Sequence, residues 1–278
     1  MRIAGLQKLA LVDYPGVMAA TVFLAGCDFR CPFCHNASLV VASEGDGSRG
    51  DACGDGEDNA RGNGEGAACC DAKSAECGEA AGLSGAGFPS IDEEAFWAFL
   101  EKRRGILQGV CITGGEPLLR SGLVRFCARI KGMDYKVKLD TNGAHPVRLA
   151  ELLDAGLLDY VAMDVKACWS RYAEAAGLSA EAQASVVRAV QKSAHLLMEG
   201  SVPYEFRTTV VRELHDEAHL AAMADELHGA QAWYLQRYVD SPSVLAGQGV
   251  LSAYSEEEMT RIVERLRASA SFVHLRGV

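Results

Sequence analysis

The chain has 278 residues, 49% of them apolar and 23% charged, a balance that fits a folded globular protein and excludes a disordered or fibrous one. Its formal charge of −10 excludes a basic groove for nucleic acid, and the longest apolar run, residues 17–26, is too short to cross a bilayer. Lys8 and Asp13 interrupt any apolar leader, so the ten cysteines point to a reducing, cytoplasmic setting where clustered thiols hold metal instead of forming disulfides.

The first β-type run, residues 18–25, leads directly into Cys27-Asp28-Phe29-Arg30-Cys31-Pro32-Phe33-Cys34-His35-Asn36. Three thiols within eight residues, on a loop leaving a strand, suit a single metal centre. The spacing leaves two readings open. A structural zinc needs four ligands, and His35, adjacent to Cys34, is poorly placed to be the fourth. An iron–sulfur cluster accepts three cysteines with one iron left open.

Residues 43–86 differ from the rest, with 11 Gly, 9 Ala and Leu83 as the single large apolar residue, and they carry −7 of the chain's −10. Such a stretch buries too little apolar surface to offset its ordering entropy, so the sequence predicts a flexible low-complexity insertion within one domain spanning 1–278. Its Cys53, Cys69, Cys70 and Cys77 lack the close spacing of a ferredoxin-type cluster. Elsewhere, Cys111 in a strand and Cys127 on an apolar helix face read as core residues.

Beyond the insertion, helical patterns at 92–103, 118–131, 147–155, 180–199, 216–228 and 255–270 alternate with strands at 109–113, 135–141, 160–166, 204–211 and 233–238. Ser90-Ile91-Asp92-Glu93 has capping-box spacing at the first of these helices. In the second, Leu119, Leu123, Phe126, Cys127 and Ile130 share one apolar face. Within the strands, Tyr135, Val137 and Leu139 alternate with Lys136, Lys138 and Asp140. Val161, Met163 and Val165 alternate with Ala162, Asp164 and Lys166, and Phe206 and Val210 lie opposite Glu205, Arg207 and Thr209. Period-2 alternation separates an apolar face from a charged one, unlike the continuous apolar runs of a doubly covered parallel sheet. The fold class is therefore α/β, a curved and incomplete (β/α)6 barrel with a polar lumen. Thr113, Asp140, Lys166 and Thr209 fall at the C-terminal strand ends, where barrel active sites form.

Two of these segments carry a family resemblance. C-x3-C-x2-C at Cys27, Cys31 and Cys34, with Phe33 before the last thiol, resembles the signature of the radical S-adenosylmethionine (SAM) superfamily. Thr113-Gly114-Gly115-Glu116-Pro117 is similar to that family's second motif. The resemblance implies that the three cysteines hold a 4Fe–4S cluster whose open iron is chelated by SAM. It implies that Phe33, His35, Gly114, Gly115, Glu116 and Pro117 border these cofactors, with the Glu116 carboxylate accepting from the SAM ammonium.

Further segments narrow the likeness to the activating enzymes of glycyl-radical enzymes, above all those of anaerobic ribonucleoside-triphosphate reductase. They are Gly5-Leu6-Gln7, Val12-Asp13-Tyr14-Pro15-Gly16, Leu139-Asp140-Thr141-Asn142-Gly143, Met163-Asp164-Val165-Lys166 and Arg207-Thr208-Thr209-Val210-Val211. The likeness implies that Asp140 and Thr141 lie near the SAM carboxylate, with a monovalent cation at Asp140. Asn142 would lie near the nucleoside, while Asp164, Lys166 and Arg207 line the lumen. It also implies a flavodoxin or ferredoxin as electron donor and a 5′-deoxyadenosyl radical that abstracts hydrogen from a partner's glycine. No side chain beyond the cluster and SAM is expected to do catalysis. Two rivals remain at this point: a radical SAM enzyme acting on a small molecule, resembling 7-carboxy-7-deazaguanine synthase, and a non-enzymatic metal-binding module.

Overall fold

Alternating apolar residues build one eight-stranded sheet in a computed structural model that describes residues 1–41 and 91–277. The expectations for residues 43–86, for Ser90 and for the four cysteines of the insertion lie outside the described residues. The strands are β1 (Ile3–Ala10), β2 (Ala19–Leu24), β3 (Gly109–Gly114), β4 (Lys136–Thr141), β5 (Tyr160–Asp164), β6 (Tyr204–Val210), β7 (Trp233–Arg237) and β8 (Val273–Arg276). They lie side by side in chain order. β1 runs antiparallel to β2, and every later pair is parallel. The sheet stays open, with β1 and β8 as its edges.

The six strands read from the sequence are β2–β7. β1 lacks a pattern of its own because IAGLQKLA contains few β-branched residues; a hairpin partner supplies its order, with a single bridge from Ile3 to Ile91 besides. β8 is four residues long and is fixed by β7 beside it, not by a pattern of its own.

Eight helices cover the outer face: α1 (Ala37–Val41), α2 (Glu93–Glu101), α3 (Leu123–Lys131), α4 (Pro146–Asp154), α5 (Tyr172–Ala176), α6 (Gln183–Glu199), α7 (Glu217–Glu226) and α8 (Glu256–Arg267), counted among the described residues. The outward set Val22, Ile112, Leu139, Val161, Phe206 and Leu235 joins helix residues such as Phe126, Leu149, Val190 and Ile262 in one buried core. A parallel strand returns only through such a crossover, so every outward face meets a helix. At the opposite end of the lumen from the strand C-termini, the Asp13–Gly16 motif forms a plug. Tyr14 packs on Val17, Ala19 and Tyr160, with the two tyrosine rings 5.9 Å apart, and Thr21 donates to Asp13.

Two local expectations are corrected. The N-cap of α2 is Asp92, with no side-chain cap bond, and Glu93 instead pairs with the Met1 ammonium and accepts from Trp97 Nε1 at 3.2 Å. The capping box that forms is Ser255 with Glu258 on α8. In the second helical stretch a short 3-10 turn, Pro117–Leu119, buries Leu118 and leaves Leu119 half-buried. Among the described residues, no helix is long and apolar enough to cross a membrane.

Candidate active site

β2 ends at a loop that the chain clamps from four sides. Gly26, with φ of +91°, donates its amide to the carbonyl of Leu39 in α1 and turns the backbone toward Cys27. Arg30 donates its amide to Ala176 of α5 at 2.8 Å. Gly177 follows with φ of +65°, and a β-carbon there would stand 2.0 Å from the Arg30 carbonyl oxygen. From the C-terminal side, Leu245 and Ala246 donate their amides to the carbonyls of Cys34 and Pro32. Asp28 accepts from Asn142 Nδ2 at 2.9 Å and pairs with His145 Nε2 at 2.9 Å.

Within this loop, Cys27, Cys31 and Cys34 line a single cavity at the C-terminal mouth of the lumen. Burial pushes the Cys27 and Cys31 thiols up to about 12. Thiols held neutral by burial become ligands once a cation repays the loss of their protons. No three His, Cys, Asp or Glu side chains close around one ion among the described residues. Phe33 lines the same cavity and meets His215 edge-on, with centroids 6.3 Å apart. His35 sits at the exposed rim, 5.7 Å from the Tyr238 ring.

The second wall is the Gly114-Gly115 loop after β3. A β-carbon on Gly115 would stand 2.0 Å from the Gly26 carbonyl oxygen, and one on Gly114 would stand 2.4 Å from the Leu24 carbonyl oxygen. Gly115 and Glu116 donate their amides to Leu24 and Gly26, both at 2.8 Å. The glycines thus bring two backbone segments together, and the pair of motifs forms one unit. Both glycines line the cavity, whereas Glu116 and Pro117 do not.

Glu116 is held by the protein itself. Its side chain is buried, with Oε1 accepting from the Leu118 amide and the Thr141 hydroxyl, each at 2.9 Å, and Oε2 accepting from the Asn142 amide at 2.7 Å. Burial pushes its carboxyl up to about 7 against those three bonds. Glu116 fastens the Gly114-Gly115 loop to the end of β4. The backbone of the two glycines, not this carboxylate, faces the space a ligand would take.

The third wall comes from β4, β5 and β6, whose register sets Asp164 beside Arg207 and Asp140 beside Ala162. Asp140, Thr141, Asn142, Asp164, Lys166 and Arg207 all reach the cavity, as do Thr113 and Thr209. Arg207 spans both acids, with Nε 2.8 Å from Asp164 and Nη1 3.2 Å from Asp140. Lys166 Nζ lies 2.9 Å from the other Asp164 oxygen. Burial opposes ionisation of both acids. For Asp164, Arg207 and Lys166 outweigh it, and for Asp140, Arg207 and Lys138 do, so each carboxyl is held below its usual range. Asn142 is committed on three sides, to Asp28, to the Glu116 carboxylate and to the Ala144 amide.

Two residues gain weight from the structure. Lys138 is buried, with Nζ on Asp140, while Lys136, two residues earlier, is exposed. His215 is fully buried. Its Nδ1 accepts from the Val211 amide at 3.1 Å, so Nε2 carries the hydrogen and donates to the Lys166 carbonyl at 2.7 Å. It holds the last turn of the β5 wall against Phe33. No spacing in the sequence marks His215, whereas the lysine two residues before Asp140 was visible as a lumen position.

Fold and site together define an open β/α barrel with a three-thiol loop clamped at the C-terminal mouth of its strands. Residues 21–217 match the Radical SAM superfamily model, and the chain belongs to that superfamily. Membership implies SAM and a 4Fe–4S cluster, and the donor set fits both: three thiols at one cavity, and beside them a polar wall bearing backbone and charge. A protein of Methanocaldococcus jannaschii, whose name carries the provisional assignment glycyl-radical enzyme activating enzyme, is 25% identical over 237 residues, covering 85% of this chain and 79% of that one. The GTP 3′,8-cyclase of Heliobacterium modesticaldum is 42% identical over 85 residues, 27% of this chain and 26% of that one. Among solved structures, Streptococcus suis SuiB has a TM-score of 0.58 at 11% identity, covering 94% of this chain and 50% of SuiB, so the chain spans half of that protein's length.

Proposed function

We propose that this radical SAM enzyme activates a glycyl-radical enzyme, and that its partner is an anaerobic ribonucleoside-triphosphate reductase. The observation that carries the reading is the open sheet, whose edges β1 and β8 leave the lumen accessible to a polypeptide loop. The M. jannaschii relative, similar along most of both chains, supports the class. The choice of reductase rests on the motifs at Gly5–Gly16, Asp140–Gly143 and Asp164–Lys166.

When bound, the cluster supplies the one-electron reduction that splits SAM and yields a hydrogen-abstracting radical, with a flavodoxin or ferredoxin as the source of the electron. The chain's own residues do the rest. Cys27, Cys31 and Cys34, which line one cavity, would hold the cluster, and the backbone of Gly114 and Gly115 in the same lining would border SAM. Phe29 and Phe33, both buried, keep water from the thiols. Arg207 holds Asp140 and Asp164 in place across the mouth. Asp140 and Asp164, each tied to Arg207 and a lysine, keep their charge near neutral pH and fix the polar lining that SAM and the incoming loop would meet.

The test is label transfer. With a reductase whose radical glycine is deuterated, the 5′-deoxyadenosine formed should carry deuterium, read by mass spectrometry. Unlabelled 5′-deoxyadenosine with every glycyl-radical partner would replace this reading with small-molecule chemistry.

A further inference from the structure

The two lumen carboxylates are saturated by cations that the chain itself supplies. Asp140 Oδ1 meets Lys138 Nζ, and Oδ2 meets Arg207 Nη1 at 3.2 Å. Asp164 meets Arg207 Nε at 2.8 Å and Lys166 Nζ at 2.9 Å. The result is a row of alternating charge across β4, β5 and β6, three cations against two anions.

The family likeness implies a monovalent metal ion at Asp140, and the residues present do not fit one. A hard cation gathers several oxygen ligands, but both Asp140 oxygens are already engaged. The adjacent Thr141 hydroxyl donates to Glu116 and accepts from the Gly143 amide. An added ion would also sit beside two fixed positive charges.

Lys138 makes the difference. It stands two residues before Asp140 on the lumen face of β4, is 1% exposed, and has Cys111 Sγ, from the paired position on β3, 3.8 Å from Nζ. A buried ammonium of this kind is tolerable only against a fixed carboxylate. We propose that Lys138, with Arg207, is a tethered replacement for the alkali ion at Asp140, so that SAM binding in this chain requires no monovalent metal. Lys138 is a positioning residue: it fixes the Asp140 carboxylate opposite Arg207, whatever substrate the radical meets.

The experiment compares the full chain, reconstituted anaerobically, in potassium, sodium and choline chloride at matched ionic strength. Its readouts are SAM affinity, the unfolding midpoint and thallium(I) NMR as a direct probe of a potassium-type site. The native chain should show the same affinity and midpoint in all three salts and no thallium binding. Lys138→Met should lose about tenfold in SAM affinity in choline and recover most of it in potassium or sodium, because Asp140 is freed for an ion. Lys138→Arg should keep the native indifference to salt. Selective stabilisation of the native chain by potassium or sodium, or thallium binding to it, would overturn the proposal, and this arm stands even if the methionine variant does not fold. A folded Lys138→Met variant with unchanged affinity, or with a loss that no alkali ion restores, would overturn it as well.

Discussion

Gly115 and Gly26 touch backbone to backbone: the Glu116 amide donates to the Gly26 carbonyl at 2.8 Å, and a β-carbon on Gly115 would stand 2.0 Å from that oxygen. The loop bearing the three thiols and the loop bordering the SAM space are therefore one rigid piece. Gly115→Ala has no flexible neighbour to displace, so it must part the two loops, at a stability cost of at least about 1–3 kcal/mol. We expect SAM affinity to fall more than about tenfold while the barrel stays folded. Equilibrium dialysis with SAM checks this, and native affinity in the variant would contradict the shared-loop geometry.

The cysteines separate by place. Ala at Cys27, Cys31 or Cys34 should abolish retention of iron and sulfide after anaerobic reconstitution, since each thiol lines the cavity. Cys127→Ala, on the buried face of α3, should keep the iron and lose only about 1 kcal/mol of stability. Iron and sulfide assays on both kinds of variant decide the matter, and a triple Ala variant that still holds four irons would refute the ligand assignment.

Glu116→Ala leaves the Leu118 and Asn142 amides and the Thr141 hydroxyl without their buried acceptor. Each orphaned group costs about 1–3 kcal/mol. The variant should therefore unfold at a clearly lower temperature even without SAM, and a calorimetric scan reads this. A native midpoint with weakened SAM binding would instead restore the direct contact with the SAM ammonium that the sequence suggested.

Much of the site was legible in the sequence because its parts are contiguous. The thiol triplet, the glycine pair, Asp140–Asn142 and Asp164–Lys166 each follow a strand whose alternation fixes which side chains enter the lumen. What could not be read depends on partners far along the chain. The three donors to Glu116 come from the turn after it, from the last residue of β4 and from the residue beyond, which no motif spacing reports. Lys138 and Lys136 have the same parity on β4, yet only the deeper one meets Asp140, and that depth is set by the register with β3. β1 and β8 went unread because neighbouring strands, not their own composition, order them.

Glu226 gives a pH dependence remote from the cavity. Burial pushes its carboxyl up to about 7, against the Trp169 amide that donates to it and with help from Asp225. Its ordinary value is 4.5, so between 4.5 and about 7 the folded chain binds more protons than the unfolded one. Stability contributed by this group therefore falls as pH rises through that window. Glu226→Gln should flatten that part of the profile in denaturant titrations, and an unchanged slope would show that the carboxyl does not titrate there.

The partner we propose for this enzyme is a glycyl-radical reductase. The most direct measurement is the electron paramagnetic resonance spectrum of the reduced enzyme, SAM and anaerobic ribonucleoside-triphosphate reductase, mixed without oxygen. A stable glycyl-radical doublet is expected, and it should vanish when the partner's radical glycine is replaced by alanine, while SAM cleavage continues. A doublet only with a pyruvate formate-lyase-type partner would contradict the choice of target, and 5′-deoxyadenosine accumulating with no doublet in any glycyl-radical protein would contradict the activase reading itself.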